Sequence, residues 1–106
     1  MNLKGKRVKG NRNRRKAIEE LEKEGYVVEV VEKTGKFVKV KDFFGLFDLV
    51  AINRNGKIKW IQIKSNRKPN LTPFKQFRER YSRLFNINME VWIWKDRIGF
   101  EKIIIE

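Results

Sequence analysis

The stretch Gly45–Ser65, GLFDLVAINRNGKIKWIQIKS, limits the fold more than any other part of the chain. It holds two short runs, Leu46–Ile52 and Ile58–Lys64, joined by Asn53-Arg54-Asn55-Gly56-Lys57. Both runs are apolar on both alternating faces, and strands of that kind belong at the centre of a sheet covered on each side. The rest of the chain must therefore supply two covering layers. From about Asn11 to Glu24, Ala17, Ile18 and Leu21 recur at helical spacing, and Gly25 is a natural stop. Thr72 is placed to cap a second helix with Pro73 at its first position. That helix runs to about Phe85, with Phe74, Phe77, Tyr81, Leu84 and Phe85 on one side. Tyr26–Glu32 reads as a strand. Phe37–Lys41, after a Thr34–Gly35 turn, reads as an edge strand or extended loop. Met89–Lys95 and Phe100–Ile105 read as final strands around an Asp96–Gly99 turn. The order α-β-(β)-β-β-α-β-β is that of an α/β sandwich with a mixed sheet.

Three residues in the central hairpin break the apolar pattern. Leu46, Asp48, Val50 and Ile52 alternate onto one face, with Phe47, Leu49 and Ala51 on the other. On the partner strand Ile58, Trp60, Gln62 and Lys64 share a face, opposite Ile61 and Ile63. Asp48, Gln62 and Lys64 stand where packing alone favours Val or Ile, and burying them costs a few kcal/mol unless partners satisfy them. Register decides whether they meet. A two-residue Asn55-Gly56 turn would set Asp48 opposite Ile63, away from Gln62 and Lys64. A three-residue loop, Arg54-Asn55-Gly56 with a left-handed Gly56, pairs Asn53 with Lys57 and sets Asp48 opposite Gln62. It also matches Val50 to Trp60 and Ile52 to Ile58, so hydrophobic pairing selects the three-residue loop.

Composition narrows the chemistry. The 106 residues include no Cys and no His, which excludes disulfides, Cys nucleophiles, Ser-His-Asp triads and His- or Cys-ligated metals. Hard, oxygen-loving cations remain open. No apolar run approaches the ~20 residues of a membrane span, and no signal-peptide core is visible, so a soluble cytoplasmic domain is expected. The formal net charge is +13, which attracts polyanions, nucleic acid foremost. Heat adaptation would raise both signs of charge together and does not account for the excess. The charge is also uneven. Lys4, Lys6, Arg7, Lys9, Arg12, Arg14, Arg15 and Lys16 put +8 in the first sixteen residues, with no acid before Glu19. Residues 1–9 are expected to form a flexible basic arm and residues 10–106 a single domain.

An acid, an amide and a lysine converging on the sheet of a basic protein have two readings. A carboxylate and an amide oxygen can hold Mg²⁺ or Mn²⁺ against a phosphate, while a lysine orients water or neutralises developing charge. Alternatively, Asp48 and Lys64 form an ion pair at the sheet edge, with Gln62 satisfying them. The residues alone leave both open.

Phe47-Asp48 followed by Gln62-Ile63-Lys64 on the next strand resembles the PD-(D/E)XK nuclease superfamily, and within it the archaeal-type Holliday junction resolvases and related small endonucleases. Lys9-Gly10, the basic helix and Glu24-Gly25-Tyr26-Val27-Val28 resemble their opening helix and first strand. Gly45–Ala51 resembles their metal-aspartate strand. Ser65 and Thr72-Pro73-Phe74-Lys75-Gln76 resemble the loop and helix that follow the catalytic lysine. The likeness covers roughly residues 9–95. It implies a restriction-endonuclease-like α-β-β-β-α-β core and a DNA endonuclease dependent on Mg²⁺ or Mn²⁺. It further implies metal held by Asp48, Gln62 and the Ile63 carbonyl, water activated by Lys64, and homodimers acting on branched or duplex DNA. An intracellular, nucleoid-associated or viral setting goes with that activity.

The chain departs from this pattern in three places. Phe47 stands for the motif's proline and Gln62 for its acid. The first helix has Arg14, next to Asn13, where resolvase-like members carry a glutamate. Glu19, later in the helix, is the remaining candidate ligand, set against a solvent-facing role paired with Lys16 or Lys23. Candidate DNA contacts are Lys6, Arg7, Lys9, Arg12, Arg14 and Arg15 on the arm and helix, Ser65, Asn66, Arg67 and Lys68 after the catalytic strand, and Gln76 on helix two. Two other functions fit the same residues: a DNA-binding accessory protein whose site no longer cuts, and a homing or restriction-type nuclease.

Overall fold

The computed structural model describes residues 4–31, 33–35, 38–41, 45–81 and 87–106, with backbone alone for 4–11, 33–35 and 38–41. Helix α1 spans Lys4–Lys23, and strands β1 (Val27–Val30), β2 (Lys33–Gly35), β3 (Val38–Lys41), β4 (Leu49–Ile52) and β5 (Ile58–Ser65) follow. Helix α2 (Thr72–Arg80) then crosses to β6 (Ile87–Lys95), which turns back into β7 (Gly99–Ile105). Five strands form one sheet in the order β1-β4-β5-β6-β7. Only β5 and β6 run parallel, with α2 as their crossover, so the sheet is mixed as expected.

The two helices cover opposite faces. Ala17 and Leu21 of α1 pack with Tyr26, Leu49, Ala51, Ile61 and Trp92. Phe74 and Phe77 of α2 pack with Phe47, Met89, Val91, Ile93 and Ile105. Each large side chain buried in this way contributes about 1.5–3 kcal/mol relative to exposure. Sheet and helices are therefore held by two separate cores on either side of β4 and β5.

The hairpin register is the one that hydrophobic matching selects. Val50 pairs with Trp60 and Ile52 with Ile58. The Asn53 N–H donates to the Lys57 carbonyl at 3.0 Å, and Gly56 sits at φ +80° in the three-residue loop. The Asn53 Oδ1 accepts the N–H groups of Asn55 and Lys57, both at 2.9 Å, which fixes the loop.

Four expectations need correction. Helix α1 begins at Lys4 rather than Asn11, so helical backbone runs through residues 4–9 and across the expected boundary between arm and domain. The segment before β4 forms its own two-stranded sheet, with β2 paired to β3, instead of adding an edge to the main one. Thr34 and Gly35 accordingly lie in β2 rather than in a turn. Thr72 is the first residue of α2, not its cap. The Asn70 Oδ1 takes the Thr72 N–H at 3.0 Å, and the Leu71 carbonyl takes those of Phe74 and Lys75. Helix α2 ends at Arg80, and Leu84 and Phe85 lie outside the described residues.

The fourth correction concerns Phe47. Simple alternation puts it on one face with Leu49 and Ala51. Instead it joins the α2 core, edge-on to Trp60, Phe74 and Phe77 at 5.4–5.7 Å between ring centroids. The cause is a bulge. Leu49 pairs with Ile61, and the Asp48 N–H also donates to the Ile61 carbonyl at 2.9 Å, so two residues of one strand oppose one of the other. The extra residue reverses the alternation before it and bends the chain at Asp48.

Candidate active site

The bulge sets the position of the Asp48 carboxylate. Its backbone is fixed on both sides, with the N–H on Ile61 and the carbonyl accepting the Val31 N–H at 2.9 Å. The buried side chain then turns to the backbone of β5, where Oδ2 accepts the Ile63 N–H at 2.8 Å. That N–H lies between Gln62 and Lys64 in the sequence, so the acid reaches the strand segment that carries the other two candidates. Gln62 is buried, while Lys64 is exposed one residue before the strand ends. Within a strand the N–H and C=O of one residue point to the same edge. The Ile63 carbonyl is therefore directed toward the side of β5 where Asp48 stands.

Helix α1 adds a residue that the sequence pattern passed over. Asn13 is 2 % exposed, and its Nδ2 donates to the Ser65 Oγ at 2.5 Å. This buried amide ties α1 to the last residue of β5, which follows Lys64 and faces the α1 side of the sheet with Ile61 and Ile63. The signal was present in the spacing: Asn13, Ala17 and Leu21 are four residues apart and form one helical face. Asn13, rather than the aligned Arg14, is the first-helix residue turned to β5, and Arg14 is half-buried beside it.

The other candidates divide. Glu19 is exposed, two residues past Ala17 and so on the side of α1 turned away from the sheet. Lys16, one of the partners expected for it, lies with its ammonium 3.9 Å from the centre of the Trp94 ring. Arg12 and Arg15 are exposed on α1, and the side chains of Lys6, Arg7 and Lys9 lie outside the described residues. Ser65 is half-buried on Asn13. Asn66, Arg67 and Lys68 are exposed in the loop beyond it. Gln76 is exposed on α2, in a groove with Leu46, Pro73 and Arg80.

The oxygen donors that Asp48 and this end of β5 offer are one carboxylate, the oxygen of the buried Gln62 amide and the directed Ile63 carbonyl. Oxygen donors suit a hard divalent cation, and a single carboxylate makes for weak binding. Among the described residues no three Asp, Glu, His or Cys side chains converge. No described helix is long and apolar enough to cross a membrane.

No protein-family model matches the chain, and no curated protein matches it in sequence. A solved structure does. Hjc of Archaeoglobus fulgidus, a Holliday junction resolvase from an archaeal hyperthermophile, superposes with a TM-score of 0.61 at 21% identity. The match covers 91% of this chain and 72% of that one. The chain thus has the α/β fold of an archaeal Holliday junction resolvase, with a mixed five-stranded sheet between two helices.

Proposed function

We propose that the chain is a structure-specific, divalent-metal-dependent DNA endonuclease of the Holliday-junction-resolvase kind. One observation carries the reading: on a resolvase fold, a buried carboxylate is bent onto the backbone beside Lys64 by a bulge in the central hairpin. Asp48, the Gln62 amide and the Ile63 carbonyl would hold Mg²⁺ or Mn²⁺, which supplies Lewis-acid polarisation of the phosphate and a hydroxide nucleophile at neutral pH. Lys64 orients the attacking water and neutralises charge as it develops on the phosphorus oxygens. Asn13 and Ser65 fix the end of β5 that presents Lys64. Arg12, Arg15, Arg67 and Lys68, with the basic N-terminal stretch, contact phosphates without reading sequence, so affinity falls steeply with salt. A homodimer acting on two strands of a branched DNA goes with this reading.

A second reading is favoured by the amides at Asn13 and Gln62: a protein that binds branched DNA without cutting it. One assay separates the two. The protein is incubated with four-way junction, flap and plain duplex DNA in Mg²⁺ or Mn²⁺. Cleavage that Asp48→Ala and Lys64→Ala abolish while binding persists supports the endonuclease. Salt-sensitive binding with no cleavage in either metal leaves the binding protein. Comparing random duplex with candidate sequences tests a homing or restriction-type activity.

A further inference from the structure

Beside the site, the turn between β6 and β7 is braced far more heavily than a chain reversal needs. Ser65 stands opposite Trp94 in the parallel ladder, so the turn Lys95–Gly99 leaves the sheet next to the loop that follows Lys64. The Ile98 N–H closes it on the Lys95 carbonyl at 3.0 Å. Asn66, in that neighbouring loop, clamps it from the side. Its backbone N–H donates to the Trp94 carbonyl at 2.7 Å, its Nδ2 to Asp96 Oδ2 at 3.2 Å, and its Oδ1 accepts the Asp96 N–H at 3.2 Å. Trp94 Nε1 donates to the other Asp96 oxygen at 3.1 Å, and its ring is steadied edge-on by Phe100. These bonds hold Asn66 at φ +56° and Arg97 at φ +72°, left-handed conformations that cost an arginine more than a glycine.

The braced turn holds Ile98 out into solvent. It is 83 % exposed, more than any other large apolar side chain among the described residues. Gly, Asn, Asp or Ser is the usual occupant of a turn tip, and a β-branched apolar residue is not. Arg97 precedes it with no charged partner among the described residues, and Lys16 lies over the adjacent Trp94. A rigid apolar point flanked by cations suits a DNA whose bases are already partly unstacked next to crowded phosphates. In a closed duplex the same side chain enters only by forcing a base step apart.

We propose that Ile98 is a wedge that occupies the open base step of a branched DNA, with Arg97 and Lys16 on the flanking phosphates. The proposal rests on the DNA-binding part of the reading above and names the residue that separates branched DNA from duplex. It does not depend on cutting, so its test is run in EDTA. Affinities of wild type, Ile98→Ser and Ile98→Leu are measured for a four-way junction and for duplex of the same arm sequence. The junction carries 2-aminopurine at its centre.

Wild type is expected to prefer the junction and to raise the 2-aminopurine fluorescence on binding. Ile98→Ser is expected to lose about tenfold in junction affinity, together with the fluorescence rise, while duplex affinity stays within about twofold. Ile98→Leu retains both, and Val27→Ser, at the far edge strand, changes neither. Equal losses on both DNAs, no loss on the junction, or no junction preference in the wild type would each overturn the wedge. Because cleavage is not read, a failed wedge is distinguishable from an inactive Asp48 site.

Discussion

Glu90 and Asp48 are acidic side chains buried to nearly the same depth in one sheet, at 6 % and 8 % exposure, yet their surroundings differ. Glu90 meets opposite charge. One oxygen accepts the Trp92 indole N–H at 2.8 Å, the other lies 3.5 Å from the Lys59 ammonium, and that ammonium also lies 5.0 Å from the centre of the Tyr26 ring. This cation and anion are both largely out of water and complete each other. Asp48 Oδ2 instead accepts the backbone N–H of Ile63, in a bulge, while Lys64, the next residue along β5, stands in solvent. An ion pair closed on itself serves the fold. In the proposed reading, an acid positioned by backbone beside an accessible lysine serves a cation and a phosphate that arrive from outside.

Removing charge at each end makes that contrast measurable. Lys64→Met is expected to lower the single-turnover cleavage rate at least about 10³-fold with junction affinity changed only a few-fold, because the lost interaction forms with the transition state. Glu90→Gln is expected to leave Lys59 without its counter-charge and to cost about 3 kcal/mol. For a domain of this size that lowers the melting temperature by more than about 10 °C, as calorimetry would show. If Lys64→Met destabilises as much as Glu90→Gln, the two ends are alike and the distinction fails.

Asn13 sharpens the comparison, since its amide bonds Ser65 rather than a charge. Asn13→Ala should cost only about 1 kcal/mol by denaturant unfolding. Cleavage should fall about 10–100-fold, the range expected when a group that orients a functional residue is lost. A stability loss with no change in rate would make Asn13 a packing residue only. The smallest effects belong to the exposed arginines of α1. Arg12→Gln or Arg15→Gln should weaken junction and duplex binding alike and reduce the slope of log affinity against log salt by about 1.

Much of this was legible in the residues. Val50 and Ile52 meet Trp60 and Ile58 in only one register, so the hairpin pairing followed from hydrophobic matching, although Asp48 stands against Ile61 rather than opposite Gln62 as that pairing implied. The Phe47 face did not follow, because alternation assumes one residue against one, and the bulge at Asp48 sets two against Ile61. Asn13 was hidden for a different reason. A search for apolar periodicity skips a polar residue, even one that continues the Ala17–Leu21 face toward Ser65. The Asn66–Asp96 clamp joins residues thirty apart, which no local pattern reveals.

The most direct test of the central claim sets the two buried acids side by side. Asp48→Asn and Glu90→Gln are compared with wild type for cleavage of one four-way junction in Mn²⁺, under single turnover and at a temperature where all three are folded. Loss of all measurable cleavage in Asp48→Asn, with a rate near wild type in Glu90→Gln, is the predicted result. Equal rates in the two variants, or no cleavage by the wild type, would contradict it.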